Sequence, residues 1–207
     1  MFILIKSDRI SLVKRKDKAN IVEQYTDSDV GKRIDIRIRY YPNFIRLVEG
    51  FEQSLSFIIK QEKEMKRRSA IGELGVRVQN SHISDPTARE AIDNIMIMEA
   101  IKKGDLDSVI SELDEDVRIL HEMEIRTIRD MKEDFRVLNN TFYYLNPVDS
   151  DMLRKYLEGG SHTEQMAYDL NMKPDALRVR IHHIKKTVIE QTSNILIRKY
   201  RVEGGIA

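Results

Sequence analysis

Cysteine and tryptophan are both absent from this 207-residue chain. Without cysteine there is no disulfide and no thiolate metal site, which fits a reducing compartment. Proline occurs four times and glycine nine times. So few breakers favour long helices over a loop-rich fold. Long apolar runs are missing too. The opening Phe2–Ile5 is too short for the core of a signal peptide, and no later stretch suits a bilayer span. The expectation is a soluble cytoplasmic protein with no membrane partner. Charge of one sign is also lacking: 35 Lys and Arg stand against 34 Asp and Glu, a formal net charge of +1. A wholly basic coat is therefore excluded, and any contact with nucleic acid must come from a local patch.

What the chain does have is charge wrapped around short apolar stripes, with 33% charged and 41% hydrophobic residues. That mixture suits amphipathic helices. The fold class expected is mainly α: a helical hairpin of long, coiled-coil-like helices, a C-terminal helix-turn-helix, and a small N-terminal β-hairpin.

Residues 1–40 form the first part. Ile34, Ile36, Ile38 and Tyr40 alternate with Asp35, Arg37 and Arg39, a period of two that predicts a strand. Phe2–Ile5 and Ile10–Val13 are its candidate partners. Arg15 to Gly31 reads as a loop with a short helix near Ala19–Tyr25.

Residues 41–145 form the second part, a helical hairpin domain with a linker at 67–85. Pro42 suits a first helical turn. Phe44, Val48, Phe51, Leu55 and Ile58 follow at spacings of four and three, one face of a helix running to about Lys66. Ser84-Asp85-Pro86 signals a helix start. Ile92, Ile95, Met96 and Met98 are its apolar positions, and Gly104 its stop. Asp105 or Asp107 then restarts a longer helix with two offset stripes. One is Ile110, Leu113, Val117 and Leu120; the other is Ile128, Met131, Phe135, Leu138, Phe142 and Leu145. Such a seam packs against a mate. The helix from Phe44 to Ile58 is the mate within the chain; a second copy, giving a homodimer through the long helices, is the other candidate.

Residues 146–207 form the third part. Asn146-Pro147 breaks the chain, and Asp149 is read as the cap of a short helix carrying Met152, Leu153, Tyr156 and Leu157. Gly159-Gly160 stops it. Ser161 and Glu164 make a capping box for a second helix with Met166, Ala167 and Leu170 inward. Asn171 tolerates the left-handed turn that follows. Pro174 opens a third helix with Leu177, Ile181, Ile184 and Val188 inward. Its opposite face carries Asp175, Ala176, Val179, His182, His183 and Lys186, with Arg178 at the edge. From Lys173 to Arg201 there are eight cations (Lys173, Arg178, Arg180, Lys185, Lys186, Arg198, Lys199, Arg201) against Asp175 and Glu190. A near-neutral chain thus concentrates positive charge on one element, as a groove-entering helix requires. Arg178 is assigned to a base edge, and Lys173, Arg180 and Lys186 to phosphates.

The run from Ser161 to Lys186 resembles the fourth region of sigma-70-type factors. There a serine-led helix carries Glu-Ile-Ala, ends in Leu-Gly and leads into a recognition helix. Here Met166 stands for the isoleucine, Asn171 for the glycine and Leu177 for a valine, while Arg180 falls on the usual arginine. Pro174-Asp175 departs from the pattern, where many relatives carry more basic or hydroxyl residues. The passage from Gly75 to Ile92 resembles the linker-to-helix segment of sigma-like phage and prophage regulators of the RinA and ArpU types. The resemblance implies a DNA-binding transcription regulator that acts on double-stranded promoter DNA with the RNA polymerase of a bacterial host. A protein-interaction module that binds polymerase without reading DNA, and a phage DNA-packaging component, are the alternatives.

Apolar spacing alone would also fit a plain three-helix core. The box, the small Ala167, the turn and the basic face together favour DNA. His182 and His183 are adjacent, so they diverge by about 100° on a helix and suit no shared metal. His82, His121 and His162 show no zinc-like spacing. No phosphate loop or nucleophile elbow occurs, and Gly159-Gly160 lacks a following Lys-Ser/Thr. The expectation is no enzyme, no metal and no cofactor.

Overall fold

A computed structural model describes residues 21–71, 86–159 and 163–203. Among them are α1 (Ile21–Thr26), α2 (Val30–Arg39), α3 (Phe44–Ile71), α4 (Pro86–Lys103), α5 (Asp107–Ile110), α6 (Glu115–Thr141), α7 (Pro147–Glu158), α8 (Thr163–Asp169) and α9 (Pro174–Glu203). Short 3-10 turns precede α3 (Tyr41–Asn43) and follow α6 (Phe142–Tyr144). The described residues hold no strand. The mainly α class is what the breaker-poor sequence predicts. No helix among these residues is long and apolar enough to cross a membrane.

The strand expected over Ile34–Tyr40 is a helix. Asp29 caps α2 by accepting the Lys32 N–H at 2.8 Å, and Arg37 and Arg39 sit in its last turn, where cations are favoured. The alternation misleads because Arg37 is itself fully buried beside Ile34 and Ile36. Its exposed positions Lys32, Asp35 and Arg39 do recur at helical spacing, but the isoleucines at every second position overlie that signal. The proposed partners Phe2–Ile5 and Ile10–Val13 lie outside the described residues. Position 40 is no boundary in the packing either, since Tyr25, Ile34 and Arg37 are all interior.

α3 and α6 run antiparallel. Lys66–Asp114 (2.8 Å) ties one end, Glu62–His121 (2.6 Å) and Glu52–Lys132 (2.7 Å) follow, and Phe44 stacks on Phe135 at 5.0 Å at the other. This is the intrachain hairpin that the two stripes predict. α3 outruns the expected stop at Lys66 by reaching Ile71. Its buried line is Phe44, Val48, Leu55 and Ile59; Ile58 faces solvent because the stripe drifts by one residue over so many turns.

α4 packs on α3 with a different face from the one expected. Ile97, Ala100 and Ile101 are buried, whereas Ile92, Ile95 and Met96 are exposed. Gly104 ends it at φ 75. The N–H of Asp105 reaches Ala100 O at 3.1 Å, as in a Schellman cap. The next helix does not run on from Asp107. It stops after one turn, and α6 begins afresh at Glu115. That break resets the register, so Leu120 is exposed and His121 takes the inward place.

The α7–α8–α9 unit is not separate from this hairpin. Its core of Met152, Leu153, Leu157, Ala167, Leu177, Ile181, Ile184 and Val188 is continuous with Tyr41, Leu138 and Phe142. The 30-residue α9 runs well past Val188 and lies along α6 and α2. There Thr192 and Leu196 are buried, and the Thr192 and Thr141 hydroxyls meet at 3.0 Å.

Beyond them sits a buried polar cluster around Asp134. Its carboxylate accepts the Tyr25 and Tyr200 hydroxyls, each at 2.6 Å, and Lys199 at 3.3 Å; Arg37 Nη1 stands 3.9 Å away. Burial and the adjacent Asp134 carboxylate hold both phenols well above their usual range. Burial pulls the Arg37 guanidinium below its own.

Candidate nucleic-acid interface

The geometry of the C-terminal unit follows from its caps. Asn146, not Asp149, caps α7. Its Oδ1 accepts the Asp149 N–H at 2.9 Å, while its Nδ2 donates to Asp149 Oδ2 at 2.6 Å, which holds the two side chains together at the helix start. Asp149 has a second task. It holds Arg180 of α9 through Nε at 2.8 Å and a second guanidinium nitrogen at 2.7 Å, which sets α9 against α7. Ser161, the expected cap of α8, lies outside the described residues.

α8 ends as expected in a left-handed Asn171, φ 52. The Met172 N–H donates to Ala167 O at 2.8 Å and the Asn171 N–H to Tyr168 O at 3.0 Å. This Schellman motif turns the chain sharply into Pro174. Ala167 is buried between α8 and α9, where a larger side chain would force the helices apart. Leu170, expected inward, is exposed, although its N–H still reaches Met166 O at 3.1 Å in helical register.

On α9, Leu177, Ile181, Ile184 and Val188 are all buried. The opposite arc, Asp175, Ala176, Arg178, Val179, His182, His183 and Lys186, is exposed, as is Lys173 just before it. From Asp175 to Lys186 this face spans about 16 Å at the helical rise. A B-DNA major groove is about 12 Å wide and admits one helix. Arg178 donates to Asp175 Oδ1 at 2.8 Å, an exposed pair one turn apart on the same face. Arg180, assigned above to phosphate, is committed to Asp149 and is only partly exposed. His182 and His183 lie edge to face at 6.0 Å, and no group of metal-ligating side chains occurs among the described residues.

The cation-rich run therefore divides in space. Lys199 belongs to the Asp134 cluster and also meets Glu133 at 2.8 Å. Lys185 lies over the Tyr156 ring at 5.7 Å. Lys173, Arg178 and Lys186 remain on the open face.

Sequence reasoning missed the neighbouring groove. An open cleft of about 820 Å³ runs between α9 and the turn leading into α7. Tyr144, Leu145, Ala176 and Val179 line it, with Arg180 and His183. Tyr143 and Tyr144 are turned outward by the 3-10 turn, a feature with no periodic signature. Comparison with protein-family models, curated proteins and solved structures finds no match. The likeness to sigma region four accordingly rests on the residues themselves.

Proposed function

We propose that this protein is a sequence-specific DNA-binding regulator of transcription, of the phage or prophage kind, that docks α9 in the major groove of promoter DNA and works with bacterial RNA polymerase. The observation that carries this reading is the face of α9 from Lys173 to Lys186. It is exposed along its length, cationic at both ends, and backed by a buried apolar core that holds it rigid. Phosphate contacts would come from Lys173 and Lys186, and base contacts from the middle of the face.

Selection of bound duplexes from a random pool, using the full chain with and without RNA polymerase, tests this. The expected result is one enriched motif whose binding weakens steeply with salt. Absence of any duplex binding at low salt, together with retention of the chain on polymerase, would overturn it in favour of the protein-docking alternative. The apolar wall of the cleft is the feature that favours that alternative.

A further inference from the structure

We infer that Val179 reads the C5-methyl group of a thymine. This rests on α9 entering the major groove, and it names one base-specific contact within that reading. Val179 is 57% exposed in the second turn of α9. Its neighbours on the face are Asp175 and Ala176 one turn before and His182 and His183 one turn after. A β-branched residue is a poorer helix former than alanine, and here it gains nothing from the core. A lone exposed apolar residue is ordinary on a surface. This one stands in the middle of a charged and polar face, between Asp175 and the two histidines His182 and His183.

The chemistry of the groove narrows the choice. Base edges in the major groove offer hydrogen-bond donors, acceptors and one apolar group, the thymine methyl. Val179 has nothing to offer the donors and acceptors. Ala176, one turn earlier, is small enough to let the helix come close. Arg178, paired with Asp175 at 2.8 Å, precedes Val179 in sequence and is the residue assigned to a guanine edge. The pattern expected is a thymine beside a guanine at the centre of the site.

The probe is the tightest duplex recovered from the random-pool selection. Each thymine is replaced in turn by deoxyuridine, which removes the methyl and nothing else, and binding is measured with the full wild-type chain and with Val179→Ala. Wild type should lose about four-fold in affinity at one thymine, the worth of burying one methyl group. Val179→Ala should bind the unmodified duplex about as weakly as wild type binds that modified one, and be indifferent to the replacement. Alanine at this exposed position favours helix, so the variant folds; circular dichroism verifies that. Indifference of wild type at every thymine, or a Val179→Ala variant that still senses the same methyl, would overturn the inference and leave the DNA-binding reading intact. Recovery of no duplex at all would instead overturn that reading, and this inference with it.

Discussion

Arg178 and Lys186 share one face of α9, yet their removal should fail in different ways. Arg178 presents a planar fork that matches the two acceptors of guanine. Arg178→Ala should cost about 1–3 kcal/mol on the selected duplex and relax preference at one base pair. Equal losses on selected and random duplexes would refute the base-reading role. Lys186 is a point charge at the far end of the face. Lys186→Ala should weaken every duplex alike and reduce the slope of log affinity against log salt by about 1. His121 carries a prediction of another kind. Burial alone would lower its pKa from 6.5, but hydrogen bonds to Glu124 and Glu62 outweigh it and raise the pKa to about 9. The folded state therefore prefers the protonated ring. Its contribution to stability is complete below pH 6.5 and is lost as pH rises through 9. Urea midpoints measured from pH 6 to pH 10 should fall for wild type, and His121→Gln should flatten that fall.

Elements differ in how openly the sequence declares them. α9 is legible because its inward residues recur without interruption and a proline marks its start. The hairpin of α3 and α6 is legible only in part: Phe44, Val48 and Leu55, and Ile128, Met131 and Leu138, are buried as their spacing suggests, whereas Ile58 and Leu120 fall outside. α2 is not, since burial of Arg37 between Ile36 and Ile38 leaves three isoleucines at every second position that pass for one face of a strand, although Lys32, Asp35 and Arg39 mark a solvent side. α4 is misread because its exposed side, with Ile92, Ile95 and Met96, is as apolar as its buried one. Of the candidate site, the exposed arc of α9 is readable from a helical wheel. The loss of Arg180 to Asp149 is not, because that contact depends on how two helices cross. The turn between α8 and α9 supplies a test at this scale. Asn171 sits at φ 52, where glycine is at ease and a β-branched residue is strained. Asn171→Gly should leave thermal stability nearly unchanged, whereas Asn171→Val should lower it by about 1–2 kcal/mol. A valine variant as stable as wild type would mean that the turn does not need this conformation.

The whole molecule hangs on α9 serving two masters. Its first half carries the open face, and its second half is buried against α2 and α6. Asp134 closes that second contact. It is fully buried and accepts from α1 through Tyr25 and from α9 through Tyr200 and Lys199, while facing Arg37 of α2. Arg37 donates Nε to Arg33 O at 3.0 Å but has no hydrogen-bond partner on the protein at Nη1 or Nη2, so the Asp134 carboxylate 3.9 Å away is the negative charge that faces this buried cation. Asp134→Ala should therefore cost about 3–5 kcal/mol, the usual penalty for stranding one member of a buried pair. Asp134→Asn should cost less, because the amide oxygen can still accept the Tyr25 and Tyr200 hydroxyls, although the charge facing Arg37 and the oxygen that accepts from Lys199 are lost. Asp151→Ala gives the contrast: its pair with Lys155 is well exposed on both sides, and water already screens such pairs. Denaturant melts should then rank the variants Asp134→Ala, Asp134→Asn and Asp151→Ala from least to most stable. Were Asp134→Ala to melt with Asp151→Ala, the far end of α9 would be held by its other contacts, Thr192 and Leu196 among them. The rigidity of its open face would then owe nothing to the charged cluster.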